Sequence, residues 1–160
     1  MNKEILKILE SDARTTTKQI STMTDIPAAE VARLIKQAEE DRVILKYKTV
    51  INWDKVENEQ VWALIELRVS PQKDVGFDSI AERIYRFPQT RTVYLISGTY
   101  DLFVLVVGKT NREIADFVSQ KLSHIEGVQE TVTQFVLKRY KEDDEIIEGK
   151  EEIRRQPVTL

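Results

Sequence analysis

Two stretches carry residues whose types and spacing suit binding. The first is Ala28–Glu40 (AAEVARLIKQAEE), where Arg33 and Lys36 stand three residues apart. Residues at that spacing share a helix face, and cations there can meet phosphates or base edges. The same pair serves equally well as the solvated face of a small bundle. The second is Val93–Gly108 (VYLISGTYDLFVLVVG), which reads as strand, tight turn, strand. It puts Gly98 and Asp101 at the rim of a sheet, and taken alone the turn is an ordinary hairpin turn. Nothing resembles a nucleophile–base pair or a metal-ligating cluster, and there is no Cys. The one histidine, His124, falls at a helix end, where it complements the dipole. The sequence therefore predicts no catalytic residue, no metal site and no cofactor.

These residues need elements to hold them. Ile5, Leu6 and Leu9 mark a first helix ending near Ser11-Asp12. Thr16-Thr17-Lys18-Gln19 has the form of a capping box opening a second helix with Ile20 and Met23. Thr24-Asp25-Ile26-Pro27 is a turn. A third helix runs to about Glu40, with Val31, Leu34, Ile35 and Ala38 on one apolar stripe. Ala29, Arg33 and Lys36 fall opposite that stripe. Three short helices with a tight turn between the last two form a helix-turn-helix arrangement. In such an arrangement the third helix enters a DNA major groove. The DNA-facing set is then Thr16, Lys18, Ala28, Ala29, Ala32, Arg33 and Lys36. Val43–Ile51 is expected as a strand whose Lys46 and Lys48 flank the DNA backbone or merely lie in a linker.

Polar residues 52–60 look like a joint. Beyond them the sequence predicts a strand at Val61–Val69, a loop at Ser70–Asp74, and a helix through Phe77, Ile80, Ala81 and Ile84 that Pro88 stops. The strand pair follows, with Leu102–Val107 apolar enough to be covered on both faces. Thr110-Asn111-Arg112-Glu113 reads as a second capping box, opening a helix with Ile114, Phe117, Val118 and Leu122 that Gly127 terminates. Val128–Lys138 is the last strand. The order β-α-β-β-α-β is that of a ferredoxin-like, split βαβ sandwich. Both helices should cover one sheet face. Leu64, Tyr94 and Phe103 make the other face partly apolar, so it should meet another subunit. From Lys141 the chain is a charged tail with Ile146, Ile147 and Ile153, read as a frayed helix or a segment docked on a neighbour.

Composition sets the class. At 160 residues, 41% hydrophobic and 32% charged, this is a globular chain of one or two domains. The net charge of −3 is held mostly by residues 141–160, while residues 1–50 are near neutral. Attraction to DNA must then come from a local face. No apolar run has signal-peptide or membrane-span character, so the expected location is the cytoplasm, with no membrane partner.

The motifs in order resemble the Lrp/AsnC (feast/famine) family of transcriptional regulators over residues 1–140. Lys3–Leu9 is similar to the family's first helix and Val31–Lys36 to its V-x-R-R-I-K recognition helix. Glu39–Ile44 is similar to E-E-x-G-V-I, Ser97–Asp101 to the G-x-Y-D turn, and Gly127–Thr133 to G-V-x-x-T-x-T. Leu34 and Gln37 stand where that family often has Arg, and Asp25 and Arg42 where Gly is usual. The resemblance implies an α+β protein: a winged helix-turn-helix with linker strand at 1–51, a linker at 52–60, a RAM domain at 61–140 and the tail at 141–160. It also implies a homodimer assembling further, to a tetramer or octamer. A small effector such as an amino acid would bind between subunits, at Gly98, Thr99, Tyr100, Asp101, Thr131 and Thr133. Asp101 can accept from an α-ammonium group, and the threonine hydroxyls can bond either polar end. The expected function is sequence-specific, effector-responsive DNA binding. The rivals are a ligand-sensing assembly protein without strong DNA binding, a tetrapyrrole-processing enzyme of the same architecture, and an RNA-binding sheet, for which Thr99–Phe103 lacks the stacking motif.

Overall fold

The computed structural model describes residues 2–56, 60–70 and 76–147. The expected loop at 71–74, part of the joint and the tail beyond residue 147, with Ile153, lie outside them. The chain separates into two compact units, residues 1–51 and 52–160.

The first unit is three helices, α1 (Lys3–Ser11), α2 (Thr17–Thr24) and α3 (Ala28–Glu40). Each has one apolar stripe too small to be stable alone. Together they bury Ile5, Leu9, Ile20 and Val31, with Ile8, Ile26, Leu34, Ile35 and Ile44 packed around them. The capping box forms as the sequence predicts: Gln19 N–H donates to Thr16 Oγ1 at 3.3 Å and Thr16 N–H to Gln19 Oε1 at 2.8 Å. Pro27 is the N-cap of α3, its carbonyl accepting from Glu30 and Val31 N–H. The chain leaves α2 through Asp25 and α3 through Arg42, both at φ of 56°.

The expected strand at Val43–Ile51 does not form. Val43 and Ile44 bend back so that both N–H groups donate to Ala38 O, and residues 45–51 have no regular structure. Composition there favours a strand, but a strand needs a neighbour to take its backbone groups. Among the described residues none is paired with it.

The second unit holds a four-stranded antiparallel sheet, β1 (Val61–Val69), β2 (Thr90–Leu95), β3 (Leu102–Gly108) and β4 (Val128–Phe135), in spatial order β2-β3-β1-β4. With helices α4 (Gly76–Tyr85) and α5 (Asn111–Gln120) the order is β-α-β-β-α-β. Ala63, Ile65 and Leu67 of β1 pair with Val106, Val104 and Leu102 of β3, and all six are buried against Ile80, Ile84, Ile114, Phe117 and Val118 of the helices. The opposite face is open within the chain: Leu64 and Phe103 are half-buried and Tyr94, stacked on Phe103 with centroids 6.3 Å apart, is 60% exposed. Among the described residues β3 is fully covered on the helix face, and on the other face only Val107 is buried.

Several boundaries move. β2 begins at Thr90 and stops at Leu95, although Ile96 N–H still reaches Asp101 O at 2.8 Å in the same register. β4 ends at Phe135, although Val136 N–H still reaches Trp62 O at 2.8 Å. Helix α5 ends at Gln120, and Leu122 is buried in a following 3₁₀ turn, so Gly127 does not terminate it. Gly127 instead lies at φ of 93° where the chain passes close to α4; a Cβ there would sit 2.7 Å from Ile80 Cδ1. The second capping box forms by half: Thr110 Oγ1 accepts from Glu113 N–H, but the Glu113 carboxylate takes the N–H of Lys109 rather than of Thr110. The tail is no helix over 141–147. It forms a hairpin, β5 (Lys141–Glu142) with β6 (Glu145–Ile146), turned by Asp143 and Asp144 at positive φ. Arg139, whose side chain is 14% exposed, fastens it: the guanidinium bonds Glu142 at 2.9 Å and Asp54 at 3.2 Å, and lies 5.1 Å over the Trp62 ring.

An L-residue in the left-handed region costs roughly 1 kcal/mol, and Asp bears it better than Arg. Arg42→Gly should therefore raise unfolding stability by up to about 1 kcal/mol, partly offset by the freer unfolded chain. Denaturant unfolding checks this, and a loss of stability would show that the Arg42 side chain contributes more than its backbone costs.

Candidate functional site

The exposed face of α3 carries Ala29, Ala32, Arg33 and Lys36, as the sequence predicts, with Ala28 half-buried at its start. Small residues at the helix N-terminus let the backbone come close to a partner. Thr16 and Lys18 are exposed at the start of α2, but the Thr16 hydroxyl is already occupied, donating to Gln19 Oε1. Lys46 and Lys48 are exposed in the irregular segment. Two carboxylates missed by the sequence reading join the helix face. Glu30 takes Arg33 in a two-point fork, Nε to Oε2 at 2.8 Å and Nη2 to Oε1 at 2.6 Å. Lys36 lies 3.7 Å from Glu40. The fork holds the Glu30 carboxyl below its usual range and the Arg33 guanidinium above. The i to i+3 and i to i+4 spacings were the available signal.

Nearby, the Tyr47 hydroxyl donates to Glu39 Oε1 at 2.7 Å. Partial burial and the adjacent carboxylate push this phenol up to about 12.

In the second unit, Gly98 stands at φ of 144° with open space where a Cβ would be, so backbone shape alone asks for glycine. Asp101 is committed to the fold. Its carboxylate accepts Val69 N–H at 2.8 Å, its N–H donates to Leu67 O and its carbonyl accepts from Ile96 N–H. Arg68, absent from the sequence-derived set, gathers the turn. Its Nε donates to Thr99 O at 3.4 Å, its guanidinium lies 5.4 Å from the Tyr100 ring centroid and Nη1 is 3.3 Å from Glu130 Oε2. Tyr100 hydroxyl donates to Glu130 at 3.4 Å, and partial burial, then Glu130, raises its pKa.

Residues paired across antiparallel strands project to one face. Thr131 and Thr133 pair with Leu67 and Ile65, so they belong to the helix side of the sheet. Glu130, Val132 and Gln134 pair with Arg68, Glu66 and Leu64 on the open side. The six expected effector residues are therefore not brought together within one chain. Gly98, Thr99 and Tyr100 gather with Arg68 and Glu130, and the two threonines lie on the other face.

Among the described residues there is no cluster of metal-ligating side chains, and no helix is long and apolar enough to cross a membrane. A model of the Lrp/AsnC ligand binding domain matches residues 62–146, and a winged helix-turn-helix DNA-binding model matches residues 2–44. The HTH-type transcriptional regulator YugG of Bacillus subtilis is 43% identical over 157 residues, 98% of this chain and 95% of its own. FL11 of Pyrococcus furiosus, also an HTH-type transcriptional regulator, is 30% identical over 91% of this chain and 93% of its own. Among solved structures, the leucine response regulatory protein LrpA of Mycobacterium tuberculosis superposes with a TM-score of 0.75 at 19% identity, over 91% of this chain and 96% of that one. A Neisseria meningitidis transcriptional regulator solved as an L-Met complex gives 0.70 at 23%, over 87% and 89%. At such identities these two report the shared fold.

Two outcomes test the site chemistry. Asp101→Ala leaves the Val69 amide without its acceptor and should cost about 1–3 kcal/mol, with Asp101→Asn milder because one oxygen remains; denaturant melts that match wild type would remove Asp101 from the fold's framework. Folding keeps the Tyr47 phenol protonated. Its contribution is therefore present below the ordinary pKa of 10.0 and lost as pH rises toward 12. In an ultraviolet titration Tyr47→Phe should delete the most alkaline step, and deletion of an earlier step would contradict the Glu39 pairing.

Proposed function

This chain belongs to the Lrp/AsnC family of transcriptional regulators, and from that membership we propose how its two units divide the work. It is a helix-turn-helix regulator and not an enzyme. Residues 1–51 read DNA, with α3 in the major groove, Ala29 and Ala32 against the base edges and Arg33 and Lys36 reaching bases or phosphates. Thr16, Lys18, Lys46 and Lys48 flank the backbone. The observation that carries this reading is the exposed Ala29-Ala32-Arg33-Lys36 face on a helix whose other side is buried.

Residues 61–140 sense a metabolite and assemble, with 52–60 as the joint. The effector is an amino acid. Arg68 and Glu130, of opposite charge and 3.3 Å apart beside Gly98–Tyr100, offer complements to an α-carboxylate and an α-ammonium group. A second copy meets the open sheet face at Leu64, Tyr94 and Phe103, and further association builds a tetramer or octamer. Since Thr131 and Thr133 lie on the opposite face from Arg68, they enter the cleft only if another subunit supplies them. The protein acts in the cytoplasm. The charge pattern also fits an assembly protein with weak DNA affinity, since the cations of α3 are paired within their own helix.

A gel shift on duplex DNA at fixed salt, with and without a panel of amino acids, separates these. Arg33→Ala should weaken binding by about ten-fold or more while sedimentation shows the same oligomer. Arg68→Ala should keep DNA binding but lose the amino-acid response. Unchanged affinity in Arg33→Ala rejects α3 as the reading helix, and an intact response in Arg68→Ala relocates the effector.

A further inference from the structure

We propose that Glu30 is a positioning residue for base readout, holding Arg33 so that the free edge of its guanidinium addresses a guanine. This rests on the reading of α3 as the groove helix and names how that helix discriminates.

An arginine carries five N–H donors in a fixed plane. Glu30 takes two along one edge, the Nε–H and one from Nη2. Nη1 and the remaining N–H of Nη2 have no partner among the described residues. They form a second parallel pair, the geometry that guanine O6 and N7 accept. The fork therefore occupies one edge and presents the other. It also restrains a long flexible side chain before DNA arrives, which lowers the ordering cost of binding. Glu30 is itself well held, because it lies in the first turn of α3 where the helix dipole favours a carboxylate.

The neighbours concentrate readout on this pair. Residues 28, 29 and 32 are alanine and Val31 is buried, so Glu30 and Arg33 are the only long polar side chains in the first six residues of α3. A carboxylate near the DNA backbone is repelled by phosphate. A residue that served only as charge would thus weaken binding to every sequence alike. A residue that positions Arg33 gives up some general affinity and gains preference at one base pair. The two roles make opposite predictions for its removal.

The test uses the full chain and a pool of randomised duplexes at fixed salt, with wild type, Glu30→Ala, Glu30→Gln and Arg33→Ala selected in parallel. Wild type should enrich a guanine at a position where Arg33→Ala shows none. At that position Glu30→Ala should lose most of a roughly ten-fold preference while holding or raising its affinity for unrelated duplex, with Glu30→Gln intermediate. Thermal melts confirm that the variants are folded. Retention of the guanine preference by Glu30→Ala, with affinity raised equally on all sequences, overturns the proposal and makes Glu30 a repelling charge. Enrichment by wild type without an Arg33-dependent guanine also overturns it. Wild type enriching no sequence at all is a different failure, that of the groove-helix reading itself.

Discussion

The alternation of β1 sets the rest of the second unit. Ala63, Ile65, Leu67 and Val69 face the helices and are buried, so Leu64, Glu66 and Arg68 must face the other way. β1 is paired on both sides, with β3 and with β4, and it passes its register to each. A slip of one residue would bring Glu66 and Arg68 into an apolar core, at a cost no local contact could repay. The position of Arg68 beside the Thr99–Tyr100 turn is therefore a consequence of the burial of its two neighbours, Leu67 and Val69. Asp101 closes the arrangement by tying the turn to the end of that strand through Val69 N–H and Leu67 O.

What was legible in the sequence was what neighbouring residues decide among themselves. The Thr16–Gln19 box, the stripe on α3 and the strand at Val61–Val69 all rest on short-range spacing. Several of the misses depend on partners far along the chain. Val43–Ile51 has strand composition but meets no strand among the described residues. Which face receives Thr131 depends on its pairing with Leu67, and that pairing is offset at Val69 and Val128 by an irregularity that skips Gln129. Arg68 drew no notice because its meaning lies in residues 99, 100 and 130. Glu30 and Glu40 are exceptions, since their spacing from Arg33 and Lys36 is local.

Asp25 and Arg42 connect sequence to backbone in a different way. Both stand where the motifs of the resemblance have glycine, and both adopt the left-handed conformation that a glycine enters without strain. The departure in residue type did not change the path of the chain. Asp25 is fixed between α2 and α3, and Arg42 between α3 and the Val43–Ile44 bend that returns to Ala38 O, so a modest local strain persists at the exposed edge of a well-formed trihelical core.

The Arg139 clasp joins the two ends of the second unit, since Asp54 comes just before β1 and Glu142 lies in the closing hairpin. A cut between Tyr140 and Glu142 would leave a mostly enclosed guanidinium with Asp54 as its one remaining carboxylate partner among the described residues, and the loosening would be felt at Trp62, near the entrance of the sheet. Removing the hairpin's Glu142 is thus a perturbation of the unit's opening strand. Entry and exit of this sandwich should fray together, as a single cooperative latch.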